Sequence, residues 1–203
     1  MKLYDGGRAP NPRRVRVFLA EKSVSVPLVP VDLGKLEHKG VEYSAINPVQ
    51  QVPAVVLDDG FVLTETIAIC RYFEELHPEP PLFGTDALSR ATVEMWQRRI
   101  EFGLLATVAA VFRHLHPAMA AMEVPQVPAW GEANRDRVFR FLDILDDQLA
   151  RREFVCGKRF TVADITGLIA IDFLKPAKLA VPEKLANVRR WHAAVSARPS
   201  ASA

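Results

Sequence analysis

Residues 46–69 read INPVQQVPAVVLDDGFVLTETIAI and carry the clearest structural pattern in the chain. A Val-Pro pair leads into the apolar run 54–57, the turn Asp58-Asp59-Gly60 follows, and a second apolar run covers 61–63. An Asp-Gly turn between two apolar runs is typical of a β-hairpin. Apolar residues at helical spacing then extend over 65–77, which predicts a helix with a wide buried face. The stretch therefore predicts two antiparallel strands followed by a helix.

The chain before this stretch alternates between strand and helix. Residues 2–4 predict a first strand, and Asn11-Pro12 predicts the start of a helix, with Asn11 as the N-cap and Pro12 at the first helical position. Alternating apolar residues predict a second strand over 27–33, and the polar segment 34–47 predicts no regular element. The first part of the chain therefore has the order βαβ, an irregular connection, and ββα.

Three proline residues, Pro78, Pro80 and Pro81, mark a change in the pattern of the chain. After them no segment alternates as a strand does, and helical patterns cover 86–115, 130–151, 161–174 and 188–197. Strands followed by helices across a proline-rich joint favour an α/β domain and a helical domain. We expect a first domain over 1–78, a linker over 79–87 and an all-helical domain over 88–203.

The charge balance and the cysteine content exclude several classes of function. The 203 residues carry a net charge of +2, with basic and acidic residues interleaved, whereas nucleic-acid binding needs a concentrated basic surface. No stretch reaches the roughly 18 apolar residues of a membrane helix, and no secretory signal precedes the first strand. Cys70 and Cys156 have no metal-ligand spacing and are expected to be reduced. We therefore expect a cytoplasmic protein with no nucleic acid, membrane or metal partner.

The Val52-Pro53 pair suggests a binding role for the backbone. If the peptide bond before Pro53 is cis, the backbone of Val52 turns outward and can pair with an extended peptide ligand. The alternative interpretation is an ordinary turn proline, which leads into the strand without donating to it.

Thr64-Glu65-Thr66 opens the helix after the hairpin. Backbone N–H groups at a helix start bind anions, and Thr66 adds a hydroxyl group. Glu65 can accept an ammonium group, so that the pair suits the α-amino acid end of a γ-glutamyl peptide. The alternative interpretation is simple capping, because an acidic residue in the first turn complements the helix dipole.

The segment 160–165 carries a purely structural signal. Thr161 and Asp164 have the spacing of a capping box, and Phe160 with Ile165 has the spacing of a hydrophobic staple. This segment predicts the start of a helix and needs no functional interpretation.

Taken in order, the motifs at 46–55, 57–60 and 63–69, followed by 154–157 and 160–165, resemble those of the cytosolic glutathione transferases. The resemblance covers nearly the whole chain and is closest to bacterial and fungal members related to the theta and zeta classes. It implies a thioredoxin-like α/β domain that binds glutathione as co-substrate, followed by an all-α helical bundle that shapes the site of the second substrate. It also implies a homodimer and a role in detoxification.

The resemblance assigns a set of residues to glutathione: His38, Gln51, Val52, Pro53, Glu65 and Thr66. Val52 is implied to pair its backbone with the cysteinyl part, beside a cis Pro53. Glu65 and Thr66 are implied to hold the γ-glutamyl end. Gln51 and His38 are implied to lie near the glycyl carboxylate; for His38, an exposed loop histidine is the alternative.

The chain departs from the family where the glutathione thiol is activated. Members generally use Ser, Cys or Tyr near the start of the first helix, but the serine position is Ala9 here, and residues 5–22 contain no hydroxyl or thiol. Tyr4 belongs to the first strand and is expected in the core. We therefore take Asn11, together with the N–H groups of the helix start, and His114, through a bound water, as candidate catalytic groups. The alternative for His114 is capping of a helix C-terminus together with His116.

These residues favour an enzyme that adds the glutathione thiolate to a small apolar electrophile. A pocket for that substrate is expected to be apolar, and five residues are candidates for it: Trp96, Phe102, Leu105, Phe112 and Trp130. Two alternatives stay open. One is another glutathione-dependent reaction, such as that of a peroxidase, isomerase or dehalogenase, although the Ser-rich turn of zeta-type isomerases is absent. The other is a non-catalytic interaction protein on the same scaffold.

Overall fold

The computed structural model describes residues 1–203, which form two compact units. The first unit contains residues 1–82 together with 202–203, and the second contains residues 83–201. None of the helices combines the length and the apolar character needed to cross a membrane.

The first unit is built around a four-stranded mixed sheet. Its elements follow the chain in this order: β1 Lys2–Asp5, α1 Pro10–Glu21, β2 Leu28–Pro30, α2 Val41–Ile46, β3 Ala54–Val56, β4 Val62–Leu63 and α3 Thr66–Leu76. The strand order is β2-β1-β3-β4, with β1 parallel to β2 and antiparallel to β3, and β3 antiparallel to β4. The helices α1 and α3 pack on each other, and Leu3, Phe18, Val55 and Phe73 are fully or almost fully buried. This arrangement is the predicted thioredoxin-like α/β domain.

Two local predictions in this unit were wrong. The segment 34–47 is not irregular, because it contains a 3₁₀ turn at Glu37–Lys39 and the helix α2 at Val41–Ile46. The helix α1 begins at Pro10, so that Ala9 is its N-cap and Asn11 lies inside the first turn. Proline is favoured at the first helical position because it needs no hydrogen-bond acceptor there, and Pro10 satisfies this preference before Pro12 does.

A buried lysine fixes the end of α3 to α1. The Lys22 side chain is fully buried and forms an ion pair with Glu74. Its ammonium group also donates to the carbonyl oxygen of His77 at 2.8 Å and to that of Pro80. A buried charge is costly unless it is paired and hydrogen-bonded, and these three acceptors meet that need.

The second unit is all helical, as predicted. Its elements are α4 Ala87–Ile100, a π-helical segment Glu101–Leu105, α5 Ala106–Leu115, α6 Pro128–Leu149, α7 Val162–Leu174 and α8 Ala186–Ser196. The single helix predicted over 86–115 therefore contains a π-helical segment in its middle. Within that segment Gly103 lies against the ring of Phe141, and a Cβ at this position would lie 2.5 Å from the ring carbons.

The predicted capping box at the start of α7 is confirmed and forms a buried hub. Asp164 accepts hydrogen bonds from the backbone N–H and the hydroxyl of Thr161, from the N–H of Val155 and from the indole N–H of Trp191. The Asp164 side chain is fully buried, and this burial raises its pKa to about 6 despite the four donors.

Candidate functional site

The pairing of the strands brings one end of each of the four strands to the same edge of the sheet. Tyr4 is paired with Ala54, and Val55 is paired with Leu63. Because β3 is antiparallel to both of its neighbours, the same register continued past the strand ends sets Val52 beside Gly6. The register between β3 and β4, continued past the strand ends in the same way, sets Pro53 beside Glu65. The residues after β1, before β3 and after β4 therefore meet, and the end of β2 lies at the same edge because β2 is parallel to β1.

Val52 and Pro53 form the centre of this edge. The Val52–Pro53 peptide bond is cis, as the resemblance implies. Neither the N–H nor the carbonyl of Val52 forms a hydrogen bond within the chain. Gly6 packs so closely on Val52 that a Cβ there would lie 2.7 Å from Val52 Cγ2. The structure thus presents a half-buried backbone unit with an unused donor and an unused acceptor.

The start of α3 supplies further unused donors. The N–H groups of Thr66, Ile67 and Ala68 have no acceptor in the chain, and no side chain caps this helix. The Thr66 hydroxyl, in a residue that is 6% exposed, also forms no hydrogen bond. Glu65 is the N-cap residue but its side chain makes no capping hydrogen bond, so that the capping alternative is left with the favourable position of its charge at the helix start.

Glu65 itself has a strained backbone. Its φ of 65° and ψ of 115° lie in a region that residues with a side chain rarely adopt, at a cost of about 1–3 kcal/mol. Such strain is typical of functional sites, where the surrounding structure imposes it. Here it lies between β4 and the uncapped start of α3, with the Glu65 side chain exposed.

His38 and Gln51 complete the set that was assigned to glutathione. His38 lies in the 3₁₀ turn that follows β2, and its Nδ1 atom is buried without a hydrogen-bond partner. Partial burial, together with the charge of Lys39, lowers the pKa of His38. The Gln51 side chain is exposed and directly precedes Val52. Two residues that the sequence analysis missed, Tyr43 and Asn47, hydrogen-bond to the Gln51 backbone.

The start of α1 has few hydrogen-bond donors. Pro10 and Pro12 have no N–H, and the N–H of Arg13 donates to the carbonyl of Ala9 at 3.3 Å. Asn11 is therefore the one residue of the first three that offers a backbone N–H, so that the expectation of several N–H groups at this helix start was wrong. The Oδ1 atom of Asn11 accepts from a guanidinium N–H of Arg14 at 3.2 Å, which leaves the amide NH₂ of Asn11 as a donor.

Tyr4 lies in β1, as predicted, and its ring packs edge-on against Tyr43 with the centroids 5.8 Å apart. The ammonium group of Lys2 lies 5.3 Å from the centroid of the Tyr4 ring. Tyr4 is thus a packed residue of the sheet.

His114 lies in the last turn of α5, in the helical unit. Its Nδ1 atom accepts the backbone N–H of Val127 at 3.1 Å, and its Nε2 atom lies 3.8 Å from a carboxylate oxygen of Glu123. A neutral imidazole with an occupied Nδ1 acceptor carries its proton on Nε2. His114 can therefore donate a hydrogen bond through Nε2, but it cannot accept a proton there while it is neutral.

In agreement with the alternative, His114 lies in the last turn of α5, and His116 is its C-cap residue and donates its backbone N–H to the Phe112 carbonyl at 2.9 Å. The Nδ1 atom of His116 accepts the N–H of Ala118 at 3.2 Å, so that this side chain contacts the connection after α5. The terminal carbonyls of Arg113 and His116 instead accept the amide NH₂ of Gln126, at 2.7 Å and 3.0 Å.

The five candidate pocket residues differ in their environment. Trp96 and Leu105 are buried in the helical unit, and Phe112 packs on Phe173 with ring centroids 5.2 Å apart. Phe102 is 62% exposed and Trp130 is 45% exposed. The expected pocket thus remains a prediction.

Comparisons with known proteins agree with this architecture. The family model described as glutathione S-transferase, N-terminal domain, matches residues 1–75, and the model for the C-terminal domain matches residues 105–199. Glutathione S-transferase 2 of Saccharomyces cerevisiae is 36% identical over 203 residues, which cover 98% of this chain and 87% of that protein. Maleylacetoacetate isomerase of Pseudomonas aeruginosa is 35% identical over 133 residues, which cover 64% of this chain and 58% of the isomerase.

Solved structures have the same fold. The crystal structure of Gtt2 from Saccharomyces cerevisiae superposes with a TM-score of 0.95 at 36% identity and covers 100% of this chain and 99% of that chain. A glutathione S-transferase domain-containing protein of Marinobacter aquaeolei VT8 has a TM-score of 0.95 at 38% identity, with 98% of this chain and 99% of that chain covered. The chain therefore belongs to the glutathione S-transferase family, whose enzymes use glutathione as co-substrate.

Proposed function

We propose that this protein transfers the glutathione thiolate to a small apolar electrophile and acts in detoxification in the cytoplasm. The observation that carries the proposal is the set of unused polar groups at one edge of the sheet. These are the backbone of Val52 and the N–H groups at the start of α3. Unpaired backbone groups that lie partly buried are costly, and a ligand with matching groups removes that cost.

Glutathione has the matching groups. Its γ-glutamyl carboxylate suits the uncapped start of α3 and the Thr66 hydroxyl, and its ammonium group suits the Glu65 carboxylate. Its cysteinyl amide suits the backbone of Val52. Pro53 belongs to the residues assigned to glutathione because the cis bond before it turns that backbone outward. The glycyl carboxylate is then left for Gln51 and His38.

Asn11 is our candidate for direct stabilisation of the thiolate. A thiol with a pKa near about 8.5 needs only a modest downward shift to be largely ionised at neutral pH. Because Pro10 and Pro12 remove the other donors, the backbone N–H and the side-chain NH₂ of Asn11 are what the start of α1 can offer to sulfur. The Arg14 guanidinium donates a hydrogen bond to the Oδ1 atom of Asn11 at 3.2 Å and brings a positive charge close to Asn11.

His114 is our second candidate, acting as a donor. With its Nδ1 occupied by Val127, a neutral His114 can hold a water by donating from Nε2, and that water can in turn donate to the thiolate. In the reaction the thiolate forms the new S–C bond, the leaving group departs with its electron pair, and the thiol proton has already been released to solvent. The protein then contributes positioning and electrostatic stabilisation.

The proposal is tested by glutathione calorimetry combined with the ultraviolet thiolate absorbance of bound glutathione across pH. We expect binding and a thiol pKa of about 7. Asn11→Ala and His114→Ala are each expected to raise that pKa by about one unit, the scale of one hydrogen bond to an ion. His77→Ala, which changes an exposed histidine in the first unit, is the control.

The other outcomes separate the competing functions. Glutathione binding with an unshifted thiol pKa would favour a different glutathione-dependent reaction. Isomerase activity would be tested first, because a relative bears the name maleylacetoacetate isomerase. Absence of binding at millimolar glutathione would contradict the enzyme proposal and leave an interaction protein on this scaffold.

A further inference from the structure

The backbone just before Val52 is held by two buried side chains. The Gln51 carbonyl oxygen accepts the Tyr43 hydroxyl at 2.6 Å and the Asn47 side-chain NH₂ at 2.7 Å. Tyr43 is 5% exposed and Asn47 is 3% exposed. Burial raises the pKa of Tyr43 to about 12, so that its hydroxyl keeps its proton at neutral pH and can donate.

Both donors are fixed by further contacts. The Asn47 Oδ1 atom accepts the N–H of Val49 at 3.1 Å, which fixes the amide with its NH₂ toward Gln51. The Asn47 backbone N–H donates to the Tyr43 carbonyl at 2.8 Å, and this bond ties the end of α2 to Tyr43. The Gln51 carbonyl therefore has one defined direction, toward α2.

That direction also determines the direction of the Val52 N–H. Cis peptide bonds occur in this chain only before Pro53, Pro80 and Pro125, so the Gln51–Val52 bond is trans. In a planar trans peptide the carbonyl and the N–H point in opposite directions. Because the Gln51 oxygen points toward α2, the Val52 N–H points away from α2, and it has no acceptor within the chain.

We propose that Tyr43 and Asn47 are positioning residues that set the Gln51–Val52 peptide plane, and thereby aim the Val52 N–H at the cysteinyl carbonyl of bound glutathione. The inference rests on the proposed function, because it needs glutathione in this site. Neither side chain is required to touch the ligand. Both act through the Gln51 oxygen, which gives α2 a role in binding.

Two variants remove one donor each with little change in shape. Tyr43→Phe removes the hydroxyl. Asn47→Asp keeps the acceptor for the Val49 N–H but replaces the donor to Gln51 with an oxygen. We expect each variant to weaken glutathione binding about threefold to tenfold, the effect of one hydrogen bond.

Two matched variants control for the loss of a hydroxyl and for the loss of a buried amide. Tyr72→Phe removes a hydroxyl that forms no hydrogen bond. Asn134→Asp changes a buried amide that donates to the Trp130 carbonyl at 2.8 Å in the helical unit. Both controls are expected to bind glutathione as the wild-type protein does, although Asn134→Asp is expected to be less stable.

The experiment combines calorimetry of glutathione binding with NMR spectra of protein labelled with ¹⁵N-valine. Without ligand, Tyr43→Phe and Asn47→Asp are expected to shift the Val52 amide resonance, and the controls are not. Upon saturation with glutathione, the Val52 amide proton of the wild-type protein is expected to move downfield by more than that of either variant.

Unchanged affinity in Tyr43→Phe and Asn47→Asp, with lower stability as the only effect, would overturn the inference and leave the glutathione site standing. If the wild-type protein itself fails to bind millimolar glutathione, the proposed function fails. The Val52 amide of the ligand-free variants then decides the positioning claim separately, since an unshifted resonance contradicts it.

Discussion

At the scale of the residue, Asn11 is important because the residues around it leave few other hydrogen-bond donors at the start of α1. A helix start usually offers several N–H groups to an anion. Pro10 and Pro12 remove two of them here, and the carbonyl of Ala9 occupies the N–H of Arg13. A site that lacks the usual Ser, Cys or Tyr is thus left with a single residue whose main chain and side chain both donate. Because both of these donors belong to Asn11, it is our first candidate for stabilising the thiolate.

Asp164 yields a prediction about pH. Its carboxyl group has a folded-state pKa of about 6, against an ordinary value of 3.8, because burial disfavours the charged form. A raised carboxyl pKa contributes stability that is fully present below pH 4 and is lost as the pH rises through 6. We expect the difference in unfolding free energy between the wild-type protein and Asp164→Asn to shrink by about 1–3 kcal/mol between pH 4.5 and pH 7.5.

Urea unfolding at four pH values across that range measures the difference for Asp164. Asp86, which caps α4 from an exposed position and whose pKa is lowered mainly by its hydrogen bond from the Ser89 backbone, is the control. A lowered carboxyl pKa contributes stability that is lost as the pH falls, which is the opposite pH dependence. The difference in unfolding free energy between the wild-type protein and Asp86→Asn is therefore not expected to shrink as the pH rises. A constant or growing difference for Asp164→Asn would refute the assignment.

At the scale of the element, α6 and α8 cap each other. Asp146 of α6 accepts the backbone N–H groups of Asn187 and Val188, both at 2.9 Å, and the Asn187 side-chain NH₂ at 2.8 Å. Arg190 of α8 donates to the carbonyl of Leu149, the last residue of α6, at 2.8 Å, and to that of Arg152, just beyond it, at 2.9 Å. Each helix thus satisfies terminal groups of the other, and a negative charge lies at the start of α8, where the dipole favours it.

This reciprocal capping predicts a measurable loss of stability. Asp146→Ala leaves two N–H groups at the start of α8 without their acceptor, and we expect the unfolding free energy to fall by about 1–3 kcal/mol. Chemical denaturation measures the change. Asp147→Ala, which removes a neighbouring exposed carboxylate without a hydrogen bond, is expected to change stability by less than about 0.5 kcal/mol. Equal effects of the two variants would show that the cap contributes nothing.

Elements defined by local chemistry could be predicted from the sequence, and elements defined by distant contacts could not. The hairpin turn at Asp58-Asp59-Gly60 and the Thr161–Asp164 capping box are local signals, and the structure contains both. The helix α2 has six residues, which are too few for a periodic pattern to indicate it. Within the π-helical segment Gly103 lies against Phe141, a residue far along the chain, and no local pattern indicates this contact.

The residues of the candidate site could also be predicted from local motifs, whereas their arrangement in space could not. Val52, Pro53, Glu65 and Thr66 are visible as short motifs, but their arrangement at one sheet edge follows from strand register, which pairs distant segments. The loss of donors at the start of α1 needed only the placement of Ala9 as the N-cap. The N-cap lies two residues before the predicted one, at Ala9 and not at Asn11, because each of the two residues precedes a proline and local preferences do not decide between them.

At the scale of the whole molecule, we propose that the homodimer implied by the family resemblance forms through an exposed apolar stripe on α4 and the following π-helical segment. Leu88 is 77% exposed, Met95 is 41% exposed and Phe102 is 62% exposed, and they recur every seven residues. Charges of both signs flank the stripe, including the Arg98–Glu94 pair at 2.8 Å. Large apolar side chains aligned on a helix face mark an interaction surface, and the mixed charges let a second copy supply opposite signs.

Sedimentation at micromolar concentration tests this surface. We expect the wild-type protein to be a dimer, and Phe102→Glu to shift it to monomer, because a carboxylate buried against a second copy would lose its hydration without gaining a partner. Val41→Glu, which places the same charge at an 88% exposed valine of the first unit, is expected to remain a dimer. A monomeric wild-type protein would contradict the proposal outright. A dimer that survives Phe102→Glu would move the interface away from α4, since a surface that tolerates an added charge at its most exposed aromatic residue is not the one that closes on association.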